Sequence, residues 1–143
     1  MAQFEQIAAR GQIVPLLFCQ DAVAASQTDV QLNIVEVASA AALAVDGLSM
    51  PWAGSVVGIG INLSAAATAG QLTVGVTLDG TEQAVSTQTI TTAQAATAVI
   101  PQESIRFAAG AKVGVEITTN AGWDATTADL AVIVYVLLDC QQV

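Results

Sequence analysis

The chain has 143 residues, 54% hydrophobic and only 10% charged, with a net charge of −9 from 12 acidic and three basic side chains. So few bases exclude a basic patch for nucleic acid. Ordinary soluble domains carry roughly 25% charged residues, so we expect one domain that buries part of its apolar surface against other chains.

Membrane insertion fits poorly. No run approaches the roughly 20 apolar residues of a spanning helix. An aromatic content of 4% is thin for the girdles of a membrane barrel. The opening MAQFEQIAARGQ lacks the basic-then-apolar build of a signal peptide. No membrane partner is expected, and synthesis is placed in a cytoplasm.

Residues 1–28 read as an N-terminal arm. Phe4 and Ile7 fall in a stretch without a persistent period. Residues 13–19 (IVPLLFC) are wholly apolar. Pro15 cannot donate to a ladder, which restricts them to an edge strand or an extended arm laid on a partner. Residues 21–29 read as a polar, Ala-rich linker, so removing 1–28 is expected to leave the domain, 29–143, folded.

Within that domain, Val30, Leu32 and Ile34 alternate with Gln31 and Asn33, the period of a half-buried strand. Residues 38–45 are short for an independent helix and close on Asp46-Gly47, giving an irregular connection or a poor strand. Val57, Ile59, Ile61 and Leu63 alternate with Gly58, Gly60, Asn62 and Ser64. The bare glycine face invites the approach of a backbone or a bulky side chain. Leu72, Val74, Val76 and Leu78 form the next strand. Asp79-Gly80 signals a hairpin, returned by the Thr-rich stretch 82–92.

Residues 97–100 give a short strand that Pro101 ends. Val113, Val115 and Ile117 alternate with polar or small neighbours, and Asn120, Gly122 and Asp124 mark a turn. Residues 130–138 are apolar on both faces except for the Tyr135 hydroxyl, so this strand needs cover on both sides. The fold class that follows is all-β, an antiparallel sandwich or partly closed barrel.

Catalytic chemistry has little to stand on. With no histidine, Ser-His-Asp and Cys-His catalysis and the usual zinc sites are excluded. No phosphate loop occurs, since Gly58 and Gly60 lie inside a strand. Asp124 and Asp129 with Glu116 are weak candidates for paired-carboxylate hydrolysis or for calcium, lacking the DxDxDG spacing. The acids otherwise read as solvated charges that keep an apolar assembly soluble. Cys19 and Cys140 lack metal or framework spacing and read as buried free thiols, with a bridge between first and last strands the lesser alternative. Trp52 and Trp123 either plug the ends of the core or pack in a subunit interface, or an exposed loop Trp contacts sugar or anchors a protein interface, with Trp123 beside Asp124 the candidate recognition site.

Residues 50–139 resemble the small jelly-roll domains of tailed-phage virion proteins. The resemblance runs through MPWAGSVVGIGINLS, AGQLTVGVTLDG, FAAGAKVGVEITT and NAGWDATTADLAVIVYV. Its landmarks are Pro51, Gly54, Gly58, Gly70, Gly80, Gly110, Gly114, Trp123, Thr127 and Asp129. It implies an antiparallel jelly-roll-like sandwich and a non-enzymatic virion protein with no cofactor and no metal. Among such proteins the chain looks most like a capsid decoration, or cement, protein, because it has no repetitive fibre shaft. That reading expects a homotrimer on the outer surface of the capsid, partnered by the major capsid protein. Its interface would come from Phe4, Ile7, Ile13, Val14, Leu16, Leu17 and Phe18 of the arm. The second face of the last strand, Ile133, Tyr135 and Leu137, would add to it. The alternative is a head- or tail-fibre tip that binds a host glycan through Trp123 and Asp124.

Overall fold

The computed structural model describes residues 12–37 and 47–139. Two antiparallel sheets pack face to face. The first runs in the order β1 (Gln12–Gln20), β11 (Leu130–Leu138), β4 (Gly54–Leu63), β8 (Ala95–Val99). The second joins β2 (Val30–Gln31), β10 (Lys112–Thr119) and β5 (Leu72–Leu78), with β7 (Gln88–Ile90) beside β5. Two-residue pairings complete them: β3 (Leu48–Ser49) on β10, β6 (Thr81–Glu82) on β5, and β9 (Arg106–Phe107) on β4. With those three short pairings set aside, the eight strands divide between the sheets as first-eighth-third-sixth and second-seventh-fourth-fifth. This double Greek key is the jelly-roll order.

Local chemistry explains most boundaries. Asp79 and Gly80 have φ of 50° and 80°, the pair of positive values that a two-residue hairpin turn needs, and they join β5 to β6. The returning strand expected over 82–92 is broken by a 3-10 turn at Ala84–Ser86. There the Ser86 hydroxyl accepts from Val76 N at 2.8 Å, filling the gap in the ladder. Asn120 closes the last turn by accepting from Gln71 N and Gly122 N through Oδ1. The strand expected over Val30 to Ile34 contracts to two residues, because the chain crosses between sheets there: Gln31 lies opposite Glu116 of β10, and Asn33 bridges to Cys19 of β1. Residues 38–45, and Asp46 of the turn expected after them, lie outside the described residues.

The alternation expected in β4 is right only in part. A register shift between Tyr135 and Val136 inserts one extra residue in β4, so Val56, not Val57, turns into the core before Ile59 and Ile61 resume the phase. Such a bulge changes which face a side chain occupies.

The arm meets the structure differently from expectation over its second half. Residues 12–20 form a full edge strand of their own chain, with Phe18 opposite Val132 in the ladder and fully buried in the core. Val23 is also fully buried, and the Gln27 and Thr119 main chains are bonded. Deleting residues 1–28 would therefore strip a strand and core side chains from the domain. Residues 1–11, with Phe4 and Ile7, lie outside the described residues. So does Cys140; Cys19 is half-buried and makes no disulfide among the described residues.

Candidate functional site

The outer faces of the two sheets differ in kind. On the β2–β10–β5 sheet, outward positions are polar and tied together. Gln31 Nε2 donates to Glu116 Oε2 at 3.1 Å, Thr77 Oγ1 to Gln31 Oε1 at 3.3 Å, and Thr118 Oγ1 to Asp29 Oδ1 at 3.1 Å. Partial burial, with Glu82 and Asp29 nearby, raises the pKa of Glu116 above the ordinary carboxylate value. That network leaves this face polar and half-buried, with Thr77 fully buried beneath it.

The β1–β11–β4–β8 sheet turns the opposite character outward. Period-two alternation sends Leu130, Val132, Val134 and Val136 into the core and leaves Ile133, Tyr135 and Leu137 outside. Their ladder partners on β1 are Leu17, Pro15 and Ile13. Ile13 is 60% exposed, Leu17 52% and Tyr135 39%. On β4 the outward residues opposite Tyr135 and Ile133 are Gly58 and Gly60. A Cβ at Gly58 would touch the Tyr135 ring at 3.5 Å, whereas one at Gly60 would meet nothing within 4 Å. The missing side chains leave an open groove of about 540 Å³ along β4, between Tyr135 and Ile133 on one side and Thr97 and Val99 of β8 on the other.

Charge collects at the two ends of this face. Beyond β11 at one end, Arg106 binds Glu103 at 3.0 Å and also Asp139, and these acids raise the Arg106 pKa. At the other end the carboxylates of Asp21, Glu36 and Asp129 lie within 4.8 Å of one another, with Asp129 Oδ1 accepting from Ala22 N at 3.3 Å. Burial, with Glu36 nearby, raises the pKa of the Cys19 thiol. An apolar centre with a charged rim is the anatomy of a protein interface.

The expected interface residues divide by strand parity. Ile13, Leu17, Ile133, Tyr135 and Leu137 share the outer face. Val14, Leu16 and Phe18 point the other way, the first two half-buried against the core and Phe18 fully within it. This corrects their assignment to the interface: in a strand, neighbours face opposite sides. Val99, 90% exposed, is the member of this face that alternation alone did not single out.

Trp123 and Asp124 do not form a recognition site together. Trp123 is 3% exposed, and its indole N–H donates to Val23 O at 3.1 Å, so it offers no ring to a ligand. Asp124 is exposed and bonded to the Thr68 N–H at 3.0 Å and to the Thr68 hydroxyl; these bonds hold its carboxyl below the usual range. Trp52, by contrast, is 51% exposed and does not plug the core. Glu116, Asp124 and Asp129 are not brought together; Asp129 instead joins Asp21 and Glu36.

No helix among the described residues is long and apolar enough to cross a membrane. No protein-family model matches the chain, and no curated protein matches it. Among solved structures it is similar to a chain titled cyanophage Pam1 capsid asymmetric unit, with a TM-score of 0.45 and 12% identity over 90% of this chain and 86% of that one. It is also similar to the structure of turnip yellow mosaic virus at 100 K, with a TM-score of 0.34 and 14% identity over 93% of this chain and 96% of that one. The empty head of that virus gives a TM-score of 0.32 at 12% identity, over 93% of this chain and 83% of that one. These values are too low to carry an argument; the jelly roll is read from the strand order itself.

Proposed function

We propose that this protein is a structural virion component, a trimeric decoration protein that docks on the major capsid protein of a phage shell and stabilises it. The observation that carries this reading is the apolar face of the β1–β11–β4–β8 sheet, which no described residue covers, set against a polar and internally bonded opposite face. Burial of such a surface is the driving term in association. In this reading Ile13, Leu17, Ile133, Tyr135 and Leu137 form the contact between subunits; the contact expected of Phe4 and Ile7 lies outside the described residues. The polar, acidic sheet then lies away from the subunit contact. No covalent step turns over; the work is done by contact area, multiplied when one trimer engages several capsid subunits at once. The resemblance of residues 50–139 to tailed-phage jelly-roll virion domains supports the same reading.

Cosedimentation of the purified protein with undecorated, expanded phage capsids tests it, with the solution mass measured alongside. A trimer that binds saturably is the expected result. A stable monomer that binds no capsid overturns it. The fibre-tip alternative looks for an exposed cluster of aromatic and acidic residues around Trp123 and Asp124; of that pair the ring is buried and the carboxylate exposed.

A further inference from the structure

The far edge of the apolar sheet has unused pairing capacity. Ile100 N donates to Val57 O at 3.0 Å, and Leu63 N donates to Gln94 O at 2.8 Å. Together with the β4–β8 register, these bonds turn the even-numbered peptide groups of β8 toward β4. In an antiparallel ladder the alternate residues point the other way. Ala95, Thr97 and Val99 thus present their N–H and C=O groups to the open side, where no described residue bonds them. All three side chains are exposed.

The two edges of this sheet are treated differently. On β1, Cys19 exchanges bonds of 2.7 and 3.3 Å with Asn33, so the odd-numbered residues face outward there. Pro15 falls in that series and removes a donor from the middle of the edge. Proline, charge, bulges and cover are the devices that protect edges from adding strands. β8 has none of them: residues 91–102 (TTAQAATAVIPQ) contain no ionisable side chain, and Pro101 lies beyond the strand.

We propose that β8 is a pairing site for the β8 strand of a second copy of this chain, antiparallel about a twofold axis at Thr97. The rungs are Ala95 with Val99, Thr97 with Thr97, and Val99 with Ala95. They satisfy every outward peptide group of β8 on both copies. Each rung sets a small side chain against a large one or Thr against Thr, which suits cross-strand packing. Local charge does not oppose the pairing: although each copy carries −9, β8 with its flanks is an approach free of ionisable groups, and the rungs are matched by the twofold itself. The axis stands normal to the sheet, so the two outer apolar faces merge into one eight-stranded surface. This contact goes beyond the trimer reading and uses a different edge.

The test compares solution masses of the full-length wild type, Thr97→Pro and Val99→Lys across a range of protein concentrations. Thr97→Pro removes an outward N–H and leaves the β4 ladder whole, as native Pro15 does on β1; a native far-UV spectrum and a cooperative melt confirm folding. The wild type is expected to reach twice the mass of both variants. A Thr97→Cys variant is expected to form a disulfide-linked dimer without reductant, since directly paired Cα atoms lie about 5.5 Å apart. Thr89→Cys, exposed on the other sheet, serves as the control. Equal masses for all three proteins, a doubling that survives both substitutions, or cross-linking no greater than the control each overturn the proposal. The trimer reading is scored separately: where it holds, the variants are trimers and the wild type a hexamer; where it fails, they are monomers and a dimer.

Discussion

Leu17 and Phe18 are neighbours in sequence with opposite roles, and replacing each by alanine separates two accounts of β1. If residues 12–20 are an integral strand, Phe18→Ala removes a fully buried ring from the core. Such truncations cost about 3–5 kcal/mol in transfer and cavity terms. At roughly 2–4 °C per kcal/mol for a chain of this size, Tm falls by about 10 °C or somewhat more. A domain stable by about 5–15 kcal/mol still folds at 25 °C. Leu17 is 52% exposed, so Leu17→Ala forfeits only part of a side-chain transfer term and costs about 1 kcal/mol or less. Urea titration at two protein concentrations is the assay. Phe18→Ala shifts the midpoint by the same free energy at both. Leu17→Ala acts more strongly at the higher concentration, because an interface couples stability to concentration. Equal, small losses for both variants would refute the integral strand and return residues 12–20 to the role of a loose arm.

Ile133→Asp places a charge on the outer apolar face without touching the core; it is expected to reduce the solution mass and abolish capsid binding while the far-UV spectrum stays native. Glu116→Gln tests the polar sheet. The folded pKa of Glu116 is raised, so ionisation penalises the folded state, and stability is lost as pH rises through that folded value. The variant is expected to gain less than about 1 kcal/mol at pH 7, given its partial exposure, and to gain nothing below about pH 4, where the acid is protonated in both states; thermal melts at the two pH values check this. Trp123→Phe leaves the Val23 carbonyl without its indole donor and is expected to cost about 1–3 kcal/mol, read by urea unfolding.

Local pattern determined the strands themselves. Alternation of Leu72, Val74 and Val76, or of Val113, Val115 and Ile117, is a property of neighbouring residues, and β5 and β10 follow it closely. Asp79-Gly80 gave the hairpin for the same reason, since positive φ is a preference of those two residues. Strand order was decided elsewhere. The partner of β1 lies over a hundred residues away in β11, and no local preference encodes that distance; hence Phe18 reads as arm in the sequence and sits in the core of the fold. The bulge opposite Tyr135 arises from the pairing of β4 with β11, so the exchange of Val57 for Val56 in the core had no local signal. Trp123 looked available because its neighbours are turn residues, yet the packing of Val23 closes over it. The apolar character of β11 on both faces was legible from composition alone. Only the tertiary structure decided that the described residues leave one of those faces open, because openness depends on what the fold brings alongside.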